Sequence, residues 1–167
     1  PKDLTKAELA ELIAGQGHDW PDIDILNHND INVTSGTDHT LLSMLARGRF
    51  DYFPRALHEP WLEIKDNPNF IVEKNLMLQY PAPLYFFVNK KNIELRDRLL
   101  LGLNKAIDNG KFDQMFYEHS ITKMIFSSAN LAQRKVFYFE NPFLSPTTKA
   151  IMSDKRLWLD LKPERKP

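Results

Sequence analysis

The chain has 167 residues, enough for one domain or two small lobes around an apolar core. Its 22 Lys and Arg balance 22 Asp and Glu, and no basic stripe carries interleaved aromatics, which argues against a nucleic-acid partner. The absence of cysteine excludes disulfides, thiolate metal sites and a cysteine nucleophile, and no apolar run reaches the ~18 residues of a membrane span.

The chain begins Pro-Lys-Asp without a methionine, so a trimmed N-terminus is expected and the lack of a signal peptide decides nothing about compartment. "LTKAELAEL", residues 4–12, has helical spacing at Leu4, Leu9 and Leu12, while Leu12, Ile13 and Ala14 equally open a short buried strand. "GQGHDWPDIDIL" reads as a glycine turn and a helix. Asp19 suits its N-cap, and Pro21 suits the first turn, where its missing N–H costs nothing. Residues 31–34 read as a strand, and "SGTDHTLLSMLARG" as a turn and a helix. Thr37 or Asp38 caps that helix, Leu41, Leu42 and Leu45 form its apolar stripe, and Gly48 ends it.

"FDYF", 50–53, reads as the next strand, ended by Pro54. "LYFFV", 84–88, is the most apolar strand candidate and is expected at the centre of a sheet. Asn92 caps a helix over 93–109, with Leu95, Leu99, Leu103 and Ile107 on one face and Gly110 as its stop. A further helix is expected over 112–133. The tail from 141 is proline-rich and irregular, and its last stretch, 156–167, reads as a natural polar C-terminus.

Strands alternating with helices at short spacing predict an α/β fold, a mostly parallel sheet flanked by helices. Right-handed crossovers would bring the strand-to-helix turns to one edge. Those turns, 16–20, 34–38 and 54–59, nominate Gln16, Gly17, His18, Trp20, Thr34, Thr37, Tyr52, Arg55 and Glu59 as ligand-binding residues. Arg55, stiffened by Pro54, carries a planar fork that matches a carboxylate or phosphate; the competing reading pairs it with Glu59 or Glu63. His18 at a helix start faces either an anion or solvent. The five histidines show no metal-ligand spacing, and "TSGT" lacks the context of a nucleophile elbow. Neither a metal, nor another cofactor, nor an enzymatic activity is expected.

Four pieces, "GQGHDWPDIDIL", "TLLSMLARGRFDYFPRALHE", "LYFFVNKKNIELRDRLLLGLNKAIDNGKFDQMFYEH" and "NPFLSP", resemble the bacterial extracytoplasmic solute-binding proteins of the amino-acid-transporter type. The resemblance implies a type II periplasmic-binding-protein-like fold that is partial. Residues 1–80 would be lobe 2, 81–86 the hinge return strand and 87–167 the C-terminal segment of lobe 1, with the N-terminal lobe segment missing. It implies non-catalytic binding of a small polar or anionic, amino-acid-like solute in an interlobe cleft. The solute would pass to the permease of an ABC-type membrane transporter in the periplasm; the alternative is a ligand-sensing domain of a membrane signalling protein. In such relatives a glycine-then-threonine helix start holds the ligand carboxylate, and an aspartate after the third strand holds its ammonium. Here Gly17 matches the glycine, His18 and Asp19 stand at the threonine positions, and Arg55-Ala56 falls where the aspartate is expected. That departure implies an anionic group on the arginine side. An uncovered half-core is also expected to favour oligomers or domain-swapped dimers.

Overall fold

Thr5 starts the first helix by a reciprocal cap: its hydroxyl accepts the Glu8 N–H at 3.2 Å, and the Glu8 carboxylate accepts the Thr5 N–H at 2.8 Å. From there the computed structural model describes residues 3–159. Helix α1 (Lys6–Ala10) leads into β1 (Ile13–Gly17), α2 (Asp22–His28), β2 (Asn32–Gly36), α3 (Asp38–Ala46) and the single turn α4 (Pro60–Glu63). There follow β3 (Leu76–Gln79), α5 (Ile93–Asp108), α6 (Lys111–Glu118), α7 (Ser120–Ser128), β4 (Lys135–Tyr138) and α8 (Pro146–Ile151). The chain is mixed α/β with short parallel ladders. Strand β1 pairs with β2 from Ile13↔Asn32 to Gly17↔Gly36, and β3 with β4 from Leu76↔Lys135 to Gln79↔Tyr138.

The two ladders share one core. Side chains alternate across a strand, so Ala14 and Gln16 share one face of β1 and Gly15 and Gly17 the other. Ala14 packs with Leu9, Leu26 and Ile31 against Phe137 and Phe139 at the end of β4, and Tyr52, Leu76 and Tyr80 close over them. Asn29, at the end of α2, binds the backbone of Glu140 on both sides: its amide donates to the carbonyl at 2.8 Å and its oxygen accepts the N–H at 3.0 Å. On the opposite face the glycines are where rings touch the strand. A Cβ on Gly15 would lie 2.2 Å from the Phe50 ring, and one on Gly17 would lie 2.4 Å from Trp20.

Several expectations are corrected. Gly15 and Gly17 belong to β1 rather than to a turn, for the packing reason just given. Strand β2 runs on to Gly36, and α2 is capped by Pro21 itself, leaving Asp19 in the turn that the Trp20 N–H closes on the Gly17 carbonyl at 3.0 Å. Residues 50–53 form a single parallel bridge, Ala14↔Tyr52, since Pro54 has no N–H to continue a ladder. The helix expected over 112–133 breaks at His119, whose extended backbone (φ −64°, ψ 136°) and ring nitrogen cap α7 at the Ile121 N–H.

The largest miss is residues 84–88, expected as the central strand. They form no strand, and β3 lies earlier, at Leu76–Gln79, because its partner β4 is there to pair with it. Residues 81–86, expected as a hinge strand, likewise form no ladder among the described residues, and the sheet is two separate pairs rather than one. Within the tail, α8 is ordered by Ser145, whose hydroxyl accepts the Thr148 N–H at 3.1 Å. The polar ending lies from residue 160 outside the described residues.

Candidate functional site

Strands β1 and β2 end side by side at Gly17 and Gly36, and Tyr52 bridges to β1 in the same direction. All three segments therefore leave the sheet at its carboxyl edge, where open α/β sheets hold ligands. The His18 N–H donates to the Gly36 carbonyl at 3.0 Å, and its ring Nδ1 lies 3.3 Å from the same oxygen, which ties the first turn to the second. The Gln16 amide reaches the Pro54 carbonyl at 3.4 Å and so touches the third.

Arg55 is the hub of this edge. Its side chain is 15% exposed. Nε donates to both carboxylate oxygens of Glu63 at 2.9 Å, Nη2 donates to the same carboxylate, and Nη2 lies 3.4 Å from Glu59. The guanidinium carbon lies 4.8 Å from the centre of the Trp20 ring and 5.1 Å from that of Phe53. Those two rings are stacked, 6.2 Å apart and 13° from parallel. A cation over aromatic faces, with a carboxylate contacted through Nε and Nη2, is held firmly while Nη1 stays open among the described residues. Burial by itself would lower the Arg55 pKa, but the Glu63 hydrogen bond and the charges of Glu59, Glu63 and Asp38 together raise it above the ordinary value. One guanidinium thus meets three carboxylates, so the edge carries both signs with acid in excess.

Of the nominated residues, Gln16, Gly17, Trp20, Arg55 and Glu59 are drawn together, with His18 beside them. Glu59 also accepts the Ala56 N–H at 2.9 Å, which fixes the third turn. Thr37 stands at the start of α3, its hydroxyl 3.0 Å from that of Thr40. Thr34 is not at the edge. It sits in the middle of β2 opposite Gly15. Sequence reasoning placed Phe53 in the strand and Asp38 in the second turn as a helix cap without nominating either as a site residue, and it named Glu63 only as a competing partner for Arg55. The signal available for Glu63 was its spacing of four from Glu59 after Pro60, which puts both acids on one side of a helical turn.

Among the described residues two buried side-chain polar atoms stand without a hydrogen-bond partner, Gln16 Oε1 and the Tyr52 hydroxyl. Gln16 is only 2% exposed. Burial, and then the charge of Asp51, push the Tyr52 hydroxyl up to about 12, and burial with an Asp22 hydrogen bond raises Tyr80 as well. Both groups bind their protons more tightly in the folded chain, so the stability they contribute is complete below about pH 10 and is lost as pH rises through the folded values. The melting temperature is expected to fall between about pH 10 and 12, and to fall less steeply in Tyr52→Phe. Equal slopes for the two proteins in alkaline melts would contradict the assignment.

An open pocket of about 300 Å³, whose lining does not include Gln16 or Arg55, lies between the start of α2 and the segments around Tyr85 and α8. Its polar lining is internally paired: Tyr85 to Thr148 at 2.7 Å, Asn141 to the Pro81 carbonyl at 2.9 Å, and Asp22 to Tyr80. Among the described residues no group of three or more His, Asp or Glu is placed to hold a metal ion, and no helix is long and apolar enough to cross a membrane. No protein-family model matches the chain, and neither a curated protein nor a solved structure shows a match to it.

Proposed function

We propose that the chain is part of a two-lobed extracytoplasmic solute-binding protein. The edge of β1, β2 and Tyr52 takes a small polar, amino-acid-like solute without catalysis and hands it to a membrane transporter. The observation that carries the reading is Gln16 Oε1, a buried acceptor with no donor among the described residues, at the carboxyl edge of the strands. An orphaned buried polar atom is worth ~1–3 kcal/mol of lost stability, which a ligand N–H or O–H would return. The mixed charges suit a zwitterion. Glu59 and Asp38 would face its ammonium, and Arg55 Nη1, which makes no hydrogen bond among the described residues, would face its carboxylate. In a cleft of this kind the opposing lobe supplies further contacts, so binding by this chain alone is expected to be weak.

Gln16→Met separates this role from a structural one. The variant is expected to melt at the same or a higher temperature without ligand, because an unsatisfied oxygen leaves the interior. It is also expected to lose the thermal shift that millimolar amino acids give the parent protein, and to lose any small molecule carried through purification and seen by native mass spectrometry. A Gln16→Met protein that keeps its thermal shift would sink the reading.

A further inference from the structure

The pocket between the start of α2 and the segments around Tyr85 and α8 holds about 300 Å³, the small end of the ~300–1,000 Å³ typical of ligand sites. The internal pairing of its polar lining uses only part of what those groups offer. Tyr85, Thr148 and Ser145 form a chain of hydroxyls, with oxygen–oxygen contacts of 2.7 and 2.9 Å. Three hydroxyls carry three hydrogens and two contacts consume two, so one is left to donate whichever way the chain runs. Thr148, at its centre, is only 4% exposed, and its N–H holds the Ser145 oxygen in place. Asp22 gives one carboxylate oxygen to the Tyr80 hydroxyl, and its second oxygen has no partner among the described residues. Among the described residues that line the pocket, Asp22 carries the one charge, and no Lys, Arg or His stands there to balance it. Two aromatic rings of the lining are open to solvent, Tyr85 47% and Phe143 63% exposed.

We propose that this pocket binds a small primary ammonium ion that carries hydroxyl groups, of the size of one amino sugar. A carboxylate with no protein cation beside it attracts positive charge and disfavours a ligand that brings its own carboxylate. The ammonium donates to the second oxygen of Asp22. The open faces of Tyr85 and Phe143 add an attraction for a cation that a neutral molecule does not receive. The hydroxyl hydrogen left over from the Tyr85–Thr148–Ser145 chain needs an acceptor, and a ligand hydroxyl supplies one. Pro21, Ile25, Pro83 and Leu144 give apolar walls for the carbon skeleton. The volume equals that of about ten water molecules at ~30 Å³ each, which sets the size at a single ring with its substituents. A cluster that only braced the fold would exhaust its donors and acceptors internally, and this one does not. The site stands apart from the solute-binding reading, since neither Gln16 nor Arg55 lines the pocket.

The test is calorimetric titration of the full chain at low ionic strength with glucosamine, glucose and cyclohexylamine, with amide NMR to place the site. Glucosamine is expected to bind at millimolar concentration or below and to shift amides within 82–85 and 141–148. Glucose lacks the ammonium and cyclohexylamine lacks every hydroxyl, so each is expected to bind at least ~10-fold more weakly. Asp22→Asn keeps an acceptor for Tyr80 and is expected to fold as the parent does while glucosamine binding weakens roughly 10- to 100-fold. Phe143→Ala, at an exposed ring, is expected to keep its circular dichroism and to weaken binding roughly 3- to 30-fold. Gln16→Met is expected to bind glucosamine unchanged, which separates this site from the edge around Arg55. No binding of glucosamine up to about 50 mM overturns the proposal. Glucose binding as tightly as glucosamine overturns it too, as does unchanged binding by Asp22→Asn. If Asp22→Asn loses its fold with the Tyr80 contact, Phe143→Ala decides alone, and unchanged binding by that folded variant overturns the proposal.

Discussion

Arg55→Ala is expected to lower the melting temperature of the solute-free protein by roughly 4–8 °C, which is about 2 kcal/mol for a chain of this length. An exposed ion pair would give ~1 kcal/mol or less, and breaking a fully buried one ~3–5 kcal/mol. Arg55 falls between, with its own side chain 15% exposed and that of Glu63 29%. Truncation leaves Glu59 and Glu63 facing each other without a cation and removes the guanidinium from the Trp20 and Phe53 rings. Arg55→Lys is expected to restore only part of the loss, because a single ammonium cannot reproduce the two-point contact with Glu63. Solute affinity is a separate readout. With Nη1 serving the ligand, Arg55→Ala also weakens binding by ~2–4 kcal/mol, beyond what the lower stability explains. An unchanged melting temperature would remove Arg55 as the hub of the edge.

How much of this was legible in the sequence divides along a physical line. Elements set by local chemistry were readable: α5 from the Asn92 cap, whose oxygen accepts the Leu95 N–H at 3.1 Å, and the ends of α3 and α5 from Gly48 and Gly110 at φ +65° and +75°. The convergence of the first and third turns was readable too, because parallel strands with short crossovers leave few other arrangements. Elements set by a distant partner were not. Leu76–Gln79 is a strand because Lys135–Tyr138 lies beside it, a pairing that no local pattern announces. Residues 84–88 mislead for the converse reason. An apolar run records that cover is needed and says nothing of which chain supplies it. At the site, Pro54 and the strand end pointed to Arg55, whereas the Trp20–Phe53 stack joins two turns and exists only in three dimensions.

Asn29 is the clearest case of a residue whose local reading conceals its weight, and Asn29→Ala is expected to be among the most destabilising single changes in the chain. In sequence it is an ordinary helix end, and it does stand at the C-cap of α2, followed by Asp30 at φ +66°. In the fold it is 6% exposed, donates to the Ile25 carbonyl at 2.8 Å, and holds both backbone groups of Glu140, 111 residues away. That contact fixes the exit of β4 just after Phe137 and Phe139 enter the core they share with Ala14 and Leu26. Alanine removes three hydrogen bonds and leaves the Glu140 N–H and C=O to find water at a partly buried position. At ~1–3 kcal/mol for each orphaned group, the loss is about 2–6 kcal/mol, or a fall in melting temperature of roughly 4–24 °C. Asn29→Asp keeps the acceptor for the Glu140 N–H but turns a carboxylate toward two carbonyl oxygens. It is expected to melt as low as the alanine variant at pH 7 and to recover partly near pH 4, where protonation restores a donor. Hydrogen exchange at Glu140 gives the local readout, with protection lost in Asn29→Ala while the amides of β1 stay protected. A melting temperature within about 1 °C of the parent would show that β4 is held by its apolar face alone.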